Sequence, residues 1–158
     1  GYSMKEIGIM SGVFGSAAAC EASLVSGQLI TRFGSFVARR IVAVCSLFAM
    51  LYLYFITNDA PTYPFVLGGL ILVWFCYGMS TVVVYTTAMD NVRPGREGTD
   101  FTVQTVITHF SGLFMSLISG KVADLFGYHD LFLFESVLTI ITVVYVFLMF
   151  SKKKEVKA

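Results

Sequence analysis

Glu21 and His109 are ionisable side chains that lie well inside long apolar stretches of the sequence. Glu21 is in the middle of the first stretch, and His109 is in the fourth. An ionisable residue within the hydrocarbon of a membrane is costly and is therefore a candidate for binding or proton transfer. A carboxyl group or an imidazole can take up and release a proton, and Glu21 is our first candidate for coupling. The alternative stays open that either group serves only to hold helices together.

Polar side chains accompany these two residues at helical spacings. Gln28 follows Glu21 by seven residues, a polar stripe runs beside His109, and the third stretch repeats polar-tipped residues every four positions. Aromatic residues with polar tips can line a cavity, although they also pack in ordinary cores. The candidates for substrate binding or proton coupling are Glu21, Gln28, Tyr77, Thr81, Tyr85, Gln104, Thr108 and His109.

The composition indicates that membrane helices position these residues. The 158 residues are 56% hydrophobic and 13% charged, whereas a soluble domain is about 25% charged. A membrane helix needs ~20 mainly apolar residues, and runs of this length without alternation are not barrel strands. We therefore predict an all-α integral membrane protein with five spans, at residues 7–30, 37–57, 65–89, 101–123 and 131–150.

The basic residues predict the orientation of these spans. Nine of the eleven Lys and Arg residues fall on one side of the predicted membrane, and this side is expected to be cytoplasmic. Gly1 is then outside and Ala158 inside. We assign residues 1–150 to a membrane bundle and 151–158 to a basic cytoplasmic tail that contacts anionic lipid. The net charge of +1 gives no sign of nucleic-acid binding.

An internal repeat ends the first and fourth spans. Residues 27–34 and 120–127 both read glycine, three residues, a polar residue, two residues, glycine. The predicted topology places the two copies on opposite sides of the membrane, as in transporters built from inverted repeats. Small residues at four-residue spacing also predict close helix packing in the first span, in two rows at 8, 12, 16, 20 and at 15, 19, 23, 27. We expect close helix contacts at Gly27 and Gly120 as well.

The stretch Gly27-x3-Thr-Arg-x-Gly34, followed by Arg39-Arg40, resembles the cytoplasmic signature loop of the major facilitator superfamily. This resemblance implies helices 8–12 of a twelve-helix transporter, that is, a partial C-terminal six-helix bundle with inverted three-helix repeats. The N-terminal half of the same chain is then a missing partner. Asp90 is expected to pair with Arg93 or Arg96. The signature or gating candidates are Gly27, Arg32, Gly34, Arg39, Arg40, Asp90, Arg93, Gly120, Asp124 and Gly127.

The stretch 93–104 carries a finer resemblance. Gly98-Thr-Asp-Phe-Thr-x-Gln104 is similar to the helix 10–11 junction of siderophore permeases, in a branch that also contains muropeptide permeases and acetyl-CoA transporters. It implies proton-coupled transport of a siderophore or its iron chelate, in a bacterial inner membrane. A muropeptide or another bulky anionic solute is the alternative.

Two other classes of function are alternatives to a transporter. A membrane-embedded transferase would need clustered carboxylates, for which Asp90, Glu97 and Asp100 are the candidates. A noncatalytic subunit of a membrane complex is the third hypothesis. Cysteines 20, 45 and 76 lack metal-ligand spacing, and no nucleotide-binding or hydrolase motif occurs. We therefore expect no enzyme activity, metal or cofactor, and only lipid and a small-molecule solute as ligands.

Overall fold

The chain forms a bundle of long helices in a computed structural model that describes residues 8–58 and 62–149. A π-helix, Met10–Gly15, leads into α1 (Ser16–Asn58); α2 (Tyr63–Asp90), α3 (Glu97–Phe126) and α4 (Tyr128–Met149) follow. Four helices are long and apolar enough to cross a membrane. The all-α membrane fold is thus confirmed, whereas the count of continuous helices is four rather than five.

The difference in count arises at Gly34, which interrupts α1. Its backbone is not helical (φ 81°, ψ 158°) and divides α1 into a first arm, residues 16–33, and a second arm, residues 35–58. The first arm runs parallel to α2 and the second runs antiparallel to it, so the chain reverses at Gly34. The contacts that fix these directions are Gly15–Trp74 and Ser26–Met79 for the first arm, and Ser35–Asp90 and Leu53–Gly69 for the second. The two arms therefore correspond to the first two predicted spans.

A second glycine makes the same turn at the other end of the bundle. Gly127 ends α3 with φ 86° and ψ 173°, and α4 begins at the next residue. This region of backbone conformation is essentially restricted to glycine. Gly34 lies beside the end of α2, whereas the turn at Gly127 lies beside Tyr54, whose ring is 4.9 Å from that of His129. The repeated motifs thus end in matching one-residue turns at opposite ends.

All five arginines of the chain lie at the Gly34 end, on the arms of α1 and in the turn between α2 and α3. Lys121 lies near the opposite end, close to Gly127. Within the described residues this separation agrees with the charge asymmetry used to predict orientation. Lys5, the basic tail and the outermost predicted span residues, Ile7 and Phe150, lie outside them.

The core consists of small and medium side chains between the two arms of α1 and α2. Its buried members are Ala22, Ala38, Val42, Met79 and Val83. Small side chains let membrane helices approach closely, so that dispersion contacts hold the bundle together.

One of the two predicted rows of small residues does pack against α2. A side chain at Gly15 would meet Trp74, and Ala19 and Ser23 both contact Gly78. The other row, at 8, 12, 16 and 20, is exposed.

Among the described residues, the contacts expected at Gly27 and Gly120 are absent. A side chain at Gly27 or Gly120 would meet nothing within 4 Å, whereas one at Gly78 would collide with the backbone of Ala19. The expectation for Gly27 was wrong because the neighbouring Ser26 faces α2. The expectation for Gly120 was wrong because α3 has no buried residue at all.

Candidate functional site

Tyr85 and His109, two of the predicted substrate or coupling residues, contact each other across two helices. The hydroxyl oxygen of Tyr85 on α2 is 3.3 Å from Nε2 of His109 on α3. The ring of Phe101, one turn from the start of α3, lies 6.0 Å from that of Tyr85. A phenol both donates and accepts hydrogen bonds. The hydroxyl can therefore donate to a neutral Nε2 or accept from a protonated one, so that the contact is compatible with both charge states.

The other candidates on α2 are arranged differently. Tyr77 is 60% exposed and packs edge-on against Trp74, with ring centroids 5.7 Å apart. The hydroxyl of Thr81 donates to the carbonyl oxygen of Tyr77 at 2.9 Å and is thus satisfied within its own helix. Tyr77 therefore presents a polar tip to its surroundings, whereas Thr81 presents mainly its methyl group.

Glu21 and Gln28 both lie on the exposed surface of the first arm. Neither side chain has a hydrogen bond or ion pair with another described residue. The backbone carbonyl oxygen of Gln28 accepts a hydrogen bond from the hydroxyl of Thr31 at 2.9 Å. The structure thus leaves both apart from the Tyr85–His109 pair.

A cavity of about 400 Å³ lies among the second arm of α1, α2, α3 and α4, and we call it the four-helix cavity. Of the predicted substrate residues, Gln104 and Thr108 line it, as does Arg39 from the signature set. Sequence reasoning missed five hydroxyl residues in its wall, although several lie seven or three positions apart within apolar spans. These are Ser46, Ser80, Thr87, Thr139 and Thr142.

Most of these hydroxyl groups do not point their donors into the cavity. Those of Ser46, Thr87, Thr108, Thr139 and Thr142 each bond to the carbonyl oxygen four residues earlier, at 2.7–2.9 Å. Such back-bonding satisfies the hydroxyl within the helix. The wall is consequently more apolar than its composition suggests.

The acidic residue at the end of α2 has a different partner from the one predicted. Asp90 accepts a hydrogen bond from the hydroxyl of Ser35 at 3.3 Å and interacts electrostatically with Arg39. It thus ties the start of the second arm to the end of α2. Because the turn that follows carries Arg93 towards α3, the expected pairing of Asp90 with Arg93 or Arg96 was wrong.

Arg93 instead forms a two-pronged ion pair with Asp100 in the first turn of α3. Its Nε and a terminal nitrogen donate to the two carboxylate oxygens at 2.8 and 2.7 Å, and its backbone N–H donates at 3.1 Å. The hydrogen bond and the carboxylate charge raise the pKa of Arg93. Glu97 accepts from the N–H of Gly95 at 2.8 Å. Much of the stretch that resembles siderophore permeases therefore builds the junction between α2 and α3.

Arg40 lies between aromatic residues of two elements. Its Cζ is 4.2 Å from the ring centroid of Phe36 and 4.9 Å from that of Phe147 on α4. Its Nε is buried and has no hydrogen-bond partner among the described residues. Of the remaining signature residues, Arg32 and Asp124 are exposed.

Glu135 makes a polar contact between the last two helices. The hydroxyl of Ser119 on α3 donates to its Oε1 at 3.3 Å, and both residues are half-buried. In residues 8–58 and 62–149, no three His, Cys, Asp or Glu side chains cluster to form a metal site.

Comparison with known proteins adds one positive finding. The chain matches the Major Facilitator Superfamily over residues 1–158, its whole length. No curated protein and no solved structure gave a match. The match agrees with the apolar helices and with the resemblance of the glycine motif. This chain belongs to the Major Facilitator Superfamily, whose members move solutes across membranes.

Proposed function

We propose that this chain is part of a proton-coupled secondary transporter and that His109, held by Tyr85, is the group that takes up the proton. The observation that carries the proposal is the contact between Tyr85 Oη and His109 Nε2 across α2 and α3. Of the predicted coupling residues, these two alone form a bond between two helices within the described residues.

The pair can link a proton to a movement because its hydrogen bond changes direction with charge. With Nε2 unprotonated, the phenol is the donor, and protonation turns the imidazolium into the donor. A bond to a charged group is stronger than a neutral one. Since α3 has no buried residue, few packing contacts oppose a shift of this helix relative to α2.

Glu21 is the second candidate for coupling. Its position in the first arm would make permanent ionisation in a membrane costly. Gln28 and Tyr77 would offer hydrogen-bonding groups to a solute. A solute would bind near the bilayer midplane, and access would alternate by rocking of two bundles.

For the whole protein we propose a twelve-helix transporter of which this chain supplies helices 8–12. We place it in a bacterial inner membrane with its C-terminus in the cytoplasm, in agreement with the arginine-rich Gly34 end. A siderophore or its iron chelate is the proposed solute, on the resemblance of residues 98–104. A muropeptide or another bulky anion is the alternative.

The geometry disfavours a transferase. Asp90, Glu97 and Asp100 would have to converge on one metal, yet each is engaged by a different partner, namely Ser35, Gly95 and Arg93 respectively.

The test is uptake by the full-length protein in proteoliposomes, with and without an imposed pH gradient. The solutes are a radioiron-loaded hydroxamate siderophore and, in parallel, a labelled disaccharide peptide. We expect His109→Gln to abolish gradient-driven accumulation but to retain counterflow exchange, and Tyr85→Phe to shift the pH dependence. His129→Gln is the matched control, because His129 contacts Tyr54 and Asp130 instead.

Gradient-driven accumulation by His109→Gln with the wild-type pH profile would exclude His109 as the coupling group. Loss of accumulation in Glu21→Gln alone, at normal protein level, would transfer that role to Glu21. Uptake unaffected by the pH gradient in the unaltered protein would refute proton coupling itself.

A further inference from the structure

Arg40 combines a shielded charge with an unsatisfied donor. It is half-buried, two phenyl rings contact its guanidinium, and its Nε–H is buried without a hydrogen-bond partner in the part of the chain that the structure describes. Aromatic rings attract a cation through their faces, but they satisfy none of its in-plane N–H groups. A charge removed from water in this way is costly unless an opposite charge compensates it.

The residues next to this arginine in the chain lead to the four-helix cavity. Arg39 and Val146 line the cavity, and their neighbours in the chain, Arg40 and Phe147, form the cation–π contact. Arg40 itself does not line the cavity, but it follows one lining residue, Arg39, and lies one helical turn before another, Ala43, at the Gly34 end.

Arg40 is cationic and the wall of the four-helix cavity is mostly apolar, so the two together suit a molecule with an anionic head and an apolar chain. The back-bonded hydroxyl groups leave a mostly apolar wall that offers few hydrogen-bond donors. Planar guanidinium groups bind phosphate oxygens well, and basic pockets between transmembrane helices bind anionic lipid head groups. Among the described residues, the carboxylate of Asp90 acts on the neighbouring Arg39 and is already engaged by Ser35 and Arg39.

We propose that an anionic phospholipid binds here, with its phosphate on the guanidinium of Arg40 and one acyl chain in the four-helix cavity. The accessible part of the guanidinium meets the phosphate, while the rings of Phe36 and Phe147 keep its plane fixed. This site is separate from the Tyr85–His109 pair and does not depend on proton coupling. Lipid bound there would brace the second arm of α1 against α4.

The experiment is native mass spectrometry of the full-length protein, delipidated in detergent and titrated with dioleoylphosphatidylglycerol. We expect Arg40→Gln to weaken binding about tenfold, the scale of one charge-assisted hydrogen bond. Arg40→Lys should be intermediate, because it keeps the charge but loses the planar fork. Arg96→Gln is the matched control, since Arg96 is an exposed arginine at the same end. Equal affinities for Arg40→Gln and Arg96→Gln would overturn the proposal.

Two further experiments distinguish binding of a whole lipid from binding of a free phosphate. Val143→Phe fills the four-helix cavity and is expected to weaken phosphatidylglycerol binding, and unchanged binding would place the acyl chain elsewhere and refute the site. Soluble glycerophosphate should not displace the lipid at equal concentration. Displacement would show that the head group alone binds and would refute the acyl-chain site. Melting temperatures of all variants identify any that fail to fold, in which case Arg40→Lys supplies the comparison.

Discussion

The hydroxyl group of Ser26 donates a hydrogen bond to the carbonyl oxygen of Met79 at 3.0 Å, and Ser26 has no solvent exposure. This bond joins the first arm of α1 to α2 in the middle of the core. It shows how closely two helices approach when the residue between them is small.

Removing that hydroxyl should destabilise the bundle only slightly. Polar contacts between membrane helices contribute about 0.6 kcal/mol on average, so we expect a loss of this order for Ser26→Ala. Ser26→Leu should cost more, about 1–3 kcal/mol, because a larger side chain must force the helices apart. Unfolding in mixed detergent measures both. Ser16→Ala, at an exposed position, is the control, and equal losses for Ser16→Ala and Ser26→Leu would contradict this packing.

Gly78 should be the glycine on α2 that tolerates substitution least. A Cβ at this position would collide with the backbone of Ala19, and a backbone cannot move aside as a flexible side chain can. We expect Gly78→Ala to lower both the melting temperature and the solute uptake. Gly120→Ala is the matched change on a helix where a Cβ meets nothing within 4 Å. The same loss in both variants would show that crowding at Ala19 is not the cause.

Substitution of Gly34 or Gly127 should also destabilise the protein, but for a different reason. Neither position is crowded, but both have a positive φ that an L-residue rarely adopts. We expect alanine at either position to cost about 1–3 kcal/mol through backbone strain. Gly112→Ala, within α3 and equally uncrowded, should be neutral or slightly stabilising. Thermal unfolding measures the stability of the three variants. A Gly34→Ala protein as stable as the unaltered one would contradict the positive φ at this turn.

Orientation can be measured by labelling single cysteines in intact cells after the three native cysteines are replaced. A cysteine at Tyr128, beside the Gly127 turn, should react with an impermeant reagent from outside. One at Gly95, in the arginine-rich turn between α2 and α3, should react only after permeabilisation. The opposite pattern would invert the orientation that the basic residues predict.

Composition was sufficient to predict the helices, because a run of about 20 apolar residues is typical of a membrane-spanning helix. The repeated glycine motif also identified both turns, since Gly34 and Gly127 need a backbone that glycine alone adopts freely. Contacts between helices were predicted only in part, since Ala19 contacts α2 as expected but Gly27 does not. Whether Ser26 or Gly27 faces α2 depends on a rotation of one helix by a single residue, and neither residue type decides it.

Contacts within the candidate site could not be predicted from the sequence either. Tyr85 and His109 were each singled out by type, but their contact depends on how α2 and α3 are aligned across the intervening turn. Asp90 was assigned to the nearest arginine in sequence, whereas Arg93 is carried over the start of α3 to Asp100. The branch, the solute and the coupling group remain predictions that transport assays must test.

The one-residue turn at Gly34 also limits how the length of this chain can change. An extra residue just after the turn would rotate the second arm by about 100° relative to the turn. Arg39, Val42 and Ser46 would then leave the four-helix cavity, and Ala38 would leave the core. The turn between α2 and α3 has several residues outside helices and can absorb the same insertion. Relatives of this protein should therefore vary in length after Asp90 and keep a constant length around Gly34.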